Sequence, residues 1–237
     1  MKVKILISSY VSSIEREKCI KELFKSILAS IKYFLIDDRI EEYLKDINLE
    51  ILVSYSCSYN QCNVYEHIST NMPSSITMHL YKHDLRMYQF EGYLFLSKFV
   101  NDDDIVIFSD DDDIFHPHRI SDIINIFWQN DYQIVEHDNI GFGNITSNVI
   151  TYEELMQNEN EHTFICVPEY FRFAMKGNIY KSNLEFYKKT TGNALSFFDI
   201  IFAHHVDQDK NTVKSFHLAK VLQYHRHQSY KRDFYVK

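Results

Sequence analysis

Glycine and proline are scarce in this chain, five and three in 237 residues. That scarcity excludes collagen-like repeats, flexible linkers and low-complexity tracts. There is no glycine-rich phosphate cradle either: neither a GxGxxG nor a Walker pattern occurs. No apolar run approaches the 18 residues of a membrane helix, so no integral membrane segment is expected. The opening Lys-Val-Lys-Ile-Leu-Ile-Ser is too short for a signal-peptide core. The four cysteines, Cys19, Cys57, Cys62 and Cys166, complete no zinc-site spacing. They read as reduced thiols, and the location as cytoplasmic. Positive charge is also short. Lys and Arg number 25 against 33 Asp and Glu, a net charge of -8, which argues against nucleic acid as a partner. Only the tail, residues 225–237, is basic, with Arg226, Lys231, Arg232 and Lys237, and it reads as solvated.

What is present is an ordinary globular composition, long enough for one large α/β domain. Residues 3–8 read as a buried strand. Ser12 and Glu15 read as the capping box of the next helix. Ile20, Leu23, Phe24, Ile27, Leu28 and Ile31 then mark one helical face. Residues 48–55, 76–81 and 105–108 read as strands, and residues 86–99 as a helix. Pro117 opens another helix, with Ile120, Ile123, Ile124 and Phe127 inward. Further on, 133–137 and 163–167 read as strands, and 184–189 and 194–205 as helices. Short continuous apolar strands between helices predict an α/β fold, with a Rossmann-like, mostly parallel sheet flanked by helices. No linker divides the chain, so residues 1–237 read as a single domain. About 1–120 would be the ligand-binding half and about 121–237 the acceptor side of a shared cleft.

Aspartates flank the strand at 105–108. Asp102 to Asp104 precede it and Asp110 to Asp113 follow it, roughly 17 Å away. The first group reads as a solvated turn. The second lies at the C-terminal edge of the parallel strands, where open α/β sheets bind ligands. Four adjacent carboxylates repel one another, which is tolerable when a cation sits among them. If the segment is extended, Asp110 and Asp112 face one way and Asp111 and Asp113 the other. Such a pair suits Mg²⁺ or Mn²⁺ with substrate phosphates completing the shell. The segment fits an EF-hand poorly, because the turn glycine and the distal Glu are missing. His116 and His118, on either side of Pro117, are awkwardly placed for a joint zinc site.

An apolar strand followed by Asp110, Asp112, Asp113, Ile114, Pro117 and Arg119 resembles the DxD region of GT-A-fold glycosyltransferases. The pattern is similar to the family 2-like inverting group, which includes small viral enzymes; a viral chain would act in the host cytoplasm. The resemblance covers residues 3–130 well and continues more weakly to 230. It implies a nucleotide-diphosphate sugar donor, a UDP-sugar being favoured, and Mn²⁺ or Mg²⁺ as cofactor. A glycan or protein-linked group would be the acceptor. It places Asp110 and Asp111 on the donor and Asp110 and Asp112 on the metal. Tyr10 would pack on the base, and Arg86 and Gln89 would contact the donor. Asp199 would be the general base, with Glu169 and Asp207 as rivals. Residues 224–229 resemble the His-containing tail of some members, with His227 completing the metal shell and Arg226 assisting. Family members often carry an Asp after the second strand. Here Ser54-Tyr55-Ser56 stands there, so the base is unassigned. Tyr170 or Phe171 would line a sugar platform. Two other readings remain: a non-catalytic sugar- or calcium-binding module on the same fold, and a metal-dependent phosphohydrolase.

Overall fold

Strand β1 (Lys2–Val11) lies within a nine-stranded mixed sheet. It pairs in parallel with β2 (Asn48–Cys57) on one side and β4 (Ile105–Ser109) on the other. Beyond β2 lies β3 (Thr77–His83), also parallel. Beyond β4 come β8 (Phe173–Lys176), β6 (Ile134–Phe142), β9 (Ser215–Arg226) and β5 (Ile114–Phe115), while β7 (Thr163–Phe164) pairs with β6. β8, β7 and β5 run against the other strands. The computed structural model describes residues 1–39, 41–58, 62–74, 76–142, 149–164, 170–191 and 198–226.

Alternation along the strands sorts their side chains onto two faces. Val3, Ile5 and Ile7 of β1, with Ile105 and Ile107 of β4, pack on α1 (Ile14–Leu35), α2 (Val64–Thr70) and α4 (Arg119–Gln129). Leu6, Val106 and Phe108 pack on α3 (Gln89–Leu96), α7 (Gly177–Thr191) and α8 (Phe198–Asp209). Both faces are therefore covered, as continuous apolar strands require. A smaller cluster joins Ile114, Phe142, Ile150, Tyr224 and Leu155, the last from α5 (Tyr152–Gln157). The short α6 (Glu159–His162) leads into β7. No helix among the described residues is long and apolar enough to cross a membrane.

Several local expectations shift. The cap of α1 is Ser13, not Ser12: Ser13 is extended, and its side chain accepts from the Arg16 amide. The helix expected over 86–99 begins only at Gln89, because Tyr88 is extended, and ends in a 3₁₀ turn at Ser97–Phe99. β9 has no counterpart in the sequence reading, and α7 and α8 run beyond their expected spans. Asp104 is not solvated. It is buried, accepts from the Asn101 amide at 2.8 Å and meets Lys4 Nζ at 3.4 Å. Cys57 and Cys62 are not both thiols: with Cα atoms 6.3 Å apart they are joined in a disulfide. β2 ends at one and α2 starts just after the other. Cys19 is free and buried, and burial pushes it up to about 11. Cys166 lies outside the described residues.

Helix α3 lies close against β1 at Gly92. A Cβ there would come within 2.0 Å of Ser8 Oγ and 2.9 Å of Ser8 Cβ. His116 and His118 open α4, and both are engaged. His116 Nδ1 accepts from the His118 amide at 3.2 Å. The His118 ring stacks on Tyr33 at 4.0 Å, and its Nδ1 lies 3.0 Å from Lys220 Nζ. Burial first, then His118 and Lys220, push His116 down to about 4.

Two expectations follow from this packing. Gly92→Ala should lower stability by about 2 kcal/mol, the cost of overpacking a tight contact; an unchanged urea midpoint would show that α3 can move away freely. Between pH 6.5 and 4 the unfolded His116 binds a proton that the folded one refuses, so stability should fall as pH falls through that window. Unfolding curves of wild type and His116→Asn at pH 7 and 4.5 test this, the variant losing less on acidification.

Candidate functional site

The acidic segment follows β4 directly and lies at the C-terminal edge of the parallel strands. Residues 110–113 form a turn, not an extended segment, before β5 begins at Ile114. The two-residue alternation expected there does not hold. Asp111 and Asp112 both face Arg16 of α1, with Nη1 2.6 Å from Asp112 Oδ2 and Nη2 on Asp111 Oδ1. Ser9, near the end of β1, donates to the other oxygen of Asp111. Asp110 and Asp113 belong instead with His225 near the end of β9. One ligand atom from each lies within 4.8 Å of the others, and all three residues are buried.

Each carboxylate has a distinct setting. Asp110 Oδ1 accepts from the Gln89 amide and the Tyr170 hydroxyl, and Gln89 also donates to Tyr170 at 2.9 Å. Tyr93 places its hydroxyl 2.9 Å from that of Tyr170 and 3.0 Å from the Ser109 carbonyl. Helix α3, held close by Gly92, thus carries two of the groups that orient Asp110. Asp113 is fully enclosed. Gln223 donates to Oδ2 at 2.5 Å; His225 Nδ1, at 2.9 Å, and the Arg226 amide, at 3.2 Å, donate to Oδ1. Burial alone would raise Asp113, but His225 and these hydrogen bonds outweigh it and hold the carboxyl below its usual range. Burial does prevail at Asp111, which is raised despite Arg16. Burial also opposes the charge on Arg16, yet Asp111 and Asp112 overcome it and keep the guanidinium protonated.

Arg226 closes the turn from the other side. Its Nε donates to the Asp112 carbonyl at 2.9 Å and its Nη2 to the Ile150 carbonyl at 3.0 Å, while the guanidinium lies over Phe142. Arg226 and His225 are thus the buried end of a strand, not the start of a solvated tail. Arg119 of the DxD-like pattern is structural. It is fully buried, donates to the carbonyls of Phe108 and Phe171 at 2.9 and 2.8 Å, and packs on Phe115 at 4.0 Å. Burial lowers it to about 9, which leaves it charged at neutral pH.

The expected donor residues come together in part. Arg86 lies 4.4 Å over the Tyr10 ring and 5.3 Å over Tyr88, and Gln89 reaches Asp110. Tyr170 and Phe171 are not an open platform: both are fully buried, and Phe171 stacks on His225 at 4.9 Å. Asp207 is a poor base, because Arg172 and Lys210 grip its carboxylate at 2.7 and 2.8 Å. Asp199 is the second residue of α8, although its side chain lies outside the described residues. Three residues on, Phe202 packs on Tyr170 at 6.2 Å, so the start of α8 adjoins the turn. His227 and Glu169 lie outside the described residues.

Asp112 was the expected metal ligand beside Asp110; the geometry brings Asp113 and His225 to Asp110, and Arg16 to Asp112. Arg16 had a signal in the sequence. A basic residue in the first turn of a helix opposes the helix dipole and needs a reason. His225 and Gln223 had none until β9 is known; at i and i+2 on that strand they share a face. Two carboxylates and an imidazole, buried within reach of one another, fit a single divalent ion of the Mn²⁺ or Mg²⁺ class.

No protein-family model matches the sequence, and no curated protein matches it. Solved structures do. S. aureus TarS 1-349 superposes with a TM-score of 0.60 at 13% identity, covering 95% of this chain and 60% of that one. Its complex with UDP-GlcNAc gives 0.59 at 12%, covering 100% and 62%. The mannosyltransferase PcManGT from Pyrobaculum calidifontis, in complex with GDP-Man and Mn²⁺, gives 0.54 at 10%, covering 98% and 58%. This chain therefore spans less than two thirds of the length of each. TarS 1-349 is thus also known with a nucleotide-sugar bound, and PcManGT is a mannosyltransferase. With a mixed sheet of this strand order and an acidic turn after its fourth strand, the chain has the GT-A fold.

Proposed function

We propose that this chain is a metal-dependent, inverting glycosyltransferase that takes a sugar from a nucleotide-diphosphate donor to a glycan or protein-linked acceptor. The observation that carries this is the buried Asp110–Asp113–His225 group at the ligand-binding edge of a GT-A fold. The structural neighbours that bind UDP-GlcNAc, or GDP-Man with Mn²⁺, support the same reading. A UDP-sugar remains the favoured donor; the Cys57–Cys62 disulfide removes the reduced-thiol argument for a cytoplasmic setting.

Asp110, Asp113 and His225 would hold the ion, and the imidazole favours Mn²⁺ over the harder Mg²⁺. A divalent ion there supplies charge neutralisation on the departing nucleoside diphosphate. The rest falls to side chains of this chain. Tyr10 and Arg86 present a stacked flat surface at the end of β1, suited to a nucleobase. Gln89 and Tyr170 fix one Asp110 oxygen, which fixes where donor hydroxyls or the ion can meet that carboxylate. Asp199, at the first turn of α8, would take the proton from the acceptor hydroxyl as that oxygen attacks the anomeric carbon.

A thermal-shift panel of UDP- and GDP-sugars, with and without Mn²⁺, should show one nucleotide series raising the melting temperature only when Mn²⁺ is present. No shift with any donor or with Mn²⁺ would sink the reading. Asp113→Asn and His225→Ala should each weaken Mn²⁺ binding by roughly tenfold or more, read by Mn²⁺ electron paramagnetic resonance; undiminished binding would move the ion elsewhere. Asp199→Asn should leave donor binding intact and cut transfer by roughly two to four orders of magnitude. Retained transfer would assign the base to another residue.

A further inference from the structure

Arg16 stands where helix electrostatics disfavours it. It is the third residue of α1, counting from Ile14, at the positive end of the helix dipole. Its partners account for the position. The guanidinium forks across two neighbouring carboxylates, those of Asp111 and Asp112. A fork of this kind does electrostatically what a bridging cation does, drawing two like charges onto one positive centre. The three groups are not equally enclosed. The Arg16 side chain is 26% exposed, against 2% for Asp111 and 10% for Asp112. Asp113, by contrast, is held from within the sheet by Gln223, His225 and the Arg226 amide. Half of the acidic turn is therefore paired with a side chain that has one flank open to solvent and a flexible stem.

We infer that Arg16 is an exchangeable counter-ion of the acidic turn. It holds Asp111 and Asp112 while no divalent ion is bound. When an ion enters beside Asp110, Arg16 releases Asp112 and turns to the donor diphosphate. Two cations on one short turn repel each other, and a diphosphate offers the planar guanidinium the paired oxygens it fits. No covalent bond changes; only ion-pair partners do. The inference rests on the metal and donor reading above. It also reconciles the DxD-like pattern, which gives Asp112 to the metal, with the arginine found on that carboxylate.

The test uses the full chain, wild type and Arg16→Gln. Mn²⁺ affinity is measured without nucleotide by electron paramagnetic resonance, and UDP and GDP affinity at saturating Mn²⁺ by calorimetry. The variant should bind Mn²⁺ roughly tenfold tighter, the competing charge being gone. It should bind the nucleoside diphosphate roughly tenfold more weakly. A residue that only supports packing would weaken both, so opposite signs mark the exchange. Unchanged or weaker Mn²⁺ binding overturns the inference, and so does unchanged nucleotide binding. If Arg16→Gln does not fold, Arg16→Lys keeps the charge without the fork; it should show the same opposed shifts at smaller size, and the same two results count against the inference. Wild type that binds neither Mn²⁺ nor nucleotide removes the proposed function itself. Wild type that binds both, with no opposed shift in the variants, removes only the role of Arg16.

Discussion

Burying four consecutive carboxylates is the constraint around which this molecule is arranged. Each of Asp110 to Asp113 has less than a tenth of its surface exposed, and buried charge is costly without partners. The partners come from every part of the chain. Ser9 and Arg16 come from the β1–α1 junction, Gln89 from α3, Tyr170 from the 3₁₀ turn before β8, and Gln223, His225 and Arg226 from β9. The fold is what allows such distant segments to converge. β4 ends at the C-terminal edge of the parallel strands, between β1 and β8, while β9 pairs with β5 just beyond the turn.

The compensation is asymmetric, and the asymmetry is chemically useful. Asp113 receives donors from a strand and is fully enclosed, so its geometry is rigid. Asp110 accepts from an amide and a phenol, both neutral donors. Asp111 and Asp112 share a guanidinium. The turn therefore presents a fixed carboxylate–imidazole pair, a carboxylate held by an amide and a phenol, and a pair bridged by a guanidinium.

The apolar strand Ile105-Val106-Ile107-Phe108 and the aspartates after it were legible in the sequence, because burial on both faces and a charge cluster are both one-dimensional signals. The α/β class followed from them. The pairing inside the cluster was not legible. Alternation applies to extended chain, and residues 110–113 turn, so Asp110 joins Asp113 rather than Asp112. β9 was missed for a related reason: its buried end, Gln223, Tyr224, His225 and Arg226, is polar, and its polar residues are inside because the aspartates are. Its composition makes sense only once its partners are known. Tyr170 misled in the opposite direction. An aromatic near a sugar site suggests a platform, yet its hydroxyl is what the fold uses.

The involvement of β9 has a consequence for biosynthesis. The last group to reach the turn, Arg226, lies 113 positions after Asp113, the carboxylate that its amide meets. During translation the acidic segment leaves the ribosome long before its imidazole and second guanidinium exist. Until then the four carboxylates have Ser9, Arg16, Gln89 and, later, Tyr170 to meet them, with Arg16 the one charged group among these. The nascent chain can thus lay down β1, β2, β3 and β4 early, but the turn can reach its final arrangement only after β9 has been made. Whatever the turn binds, its competence should therefore arrive abruptly, with β9 and not with the four strands laid down first.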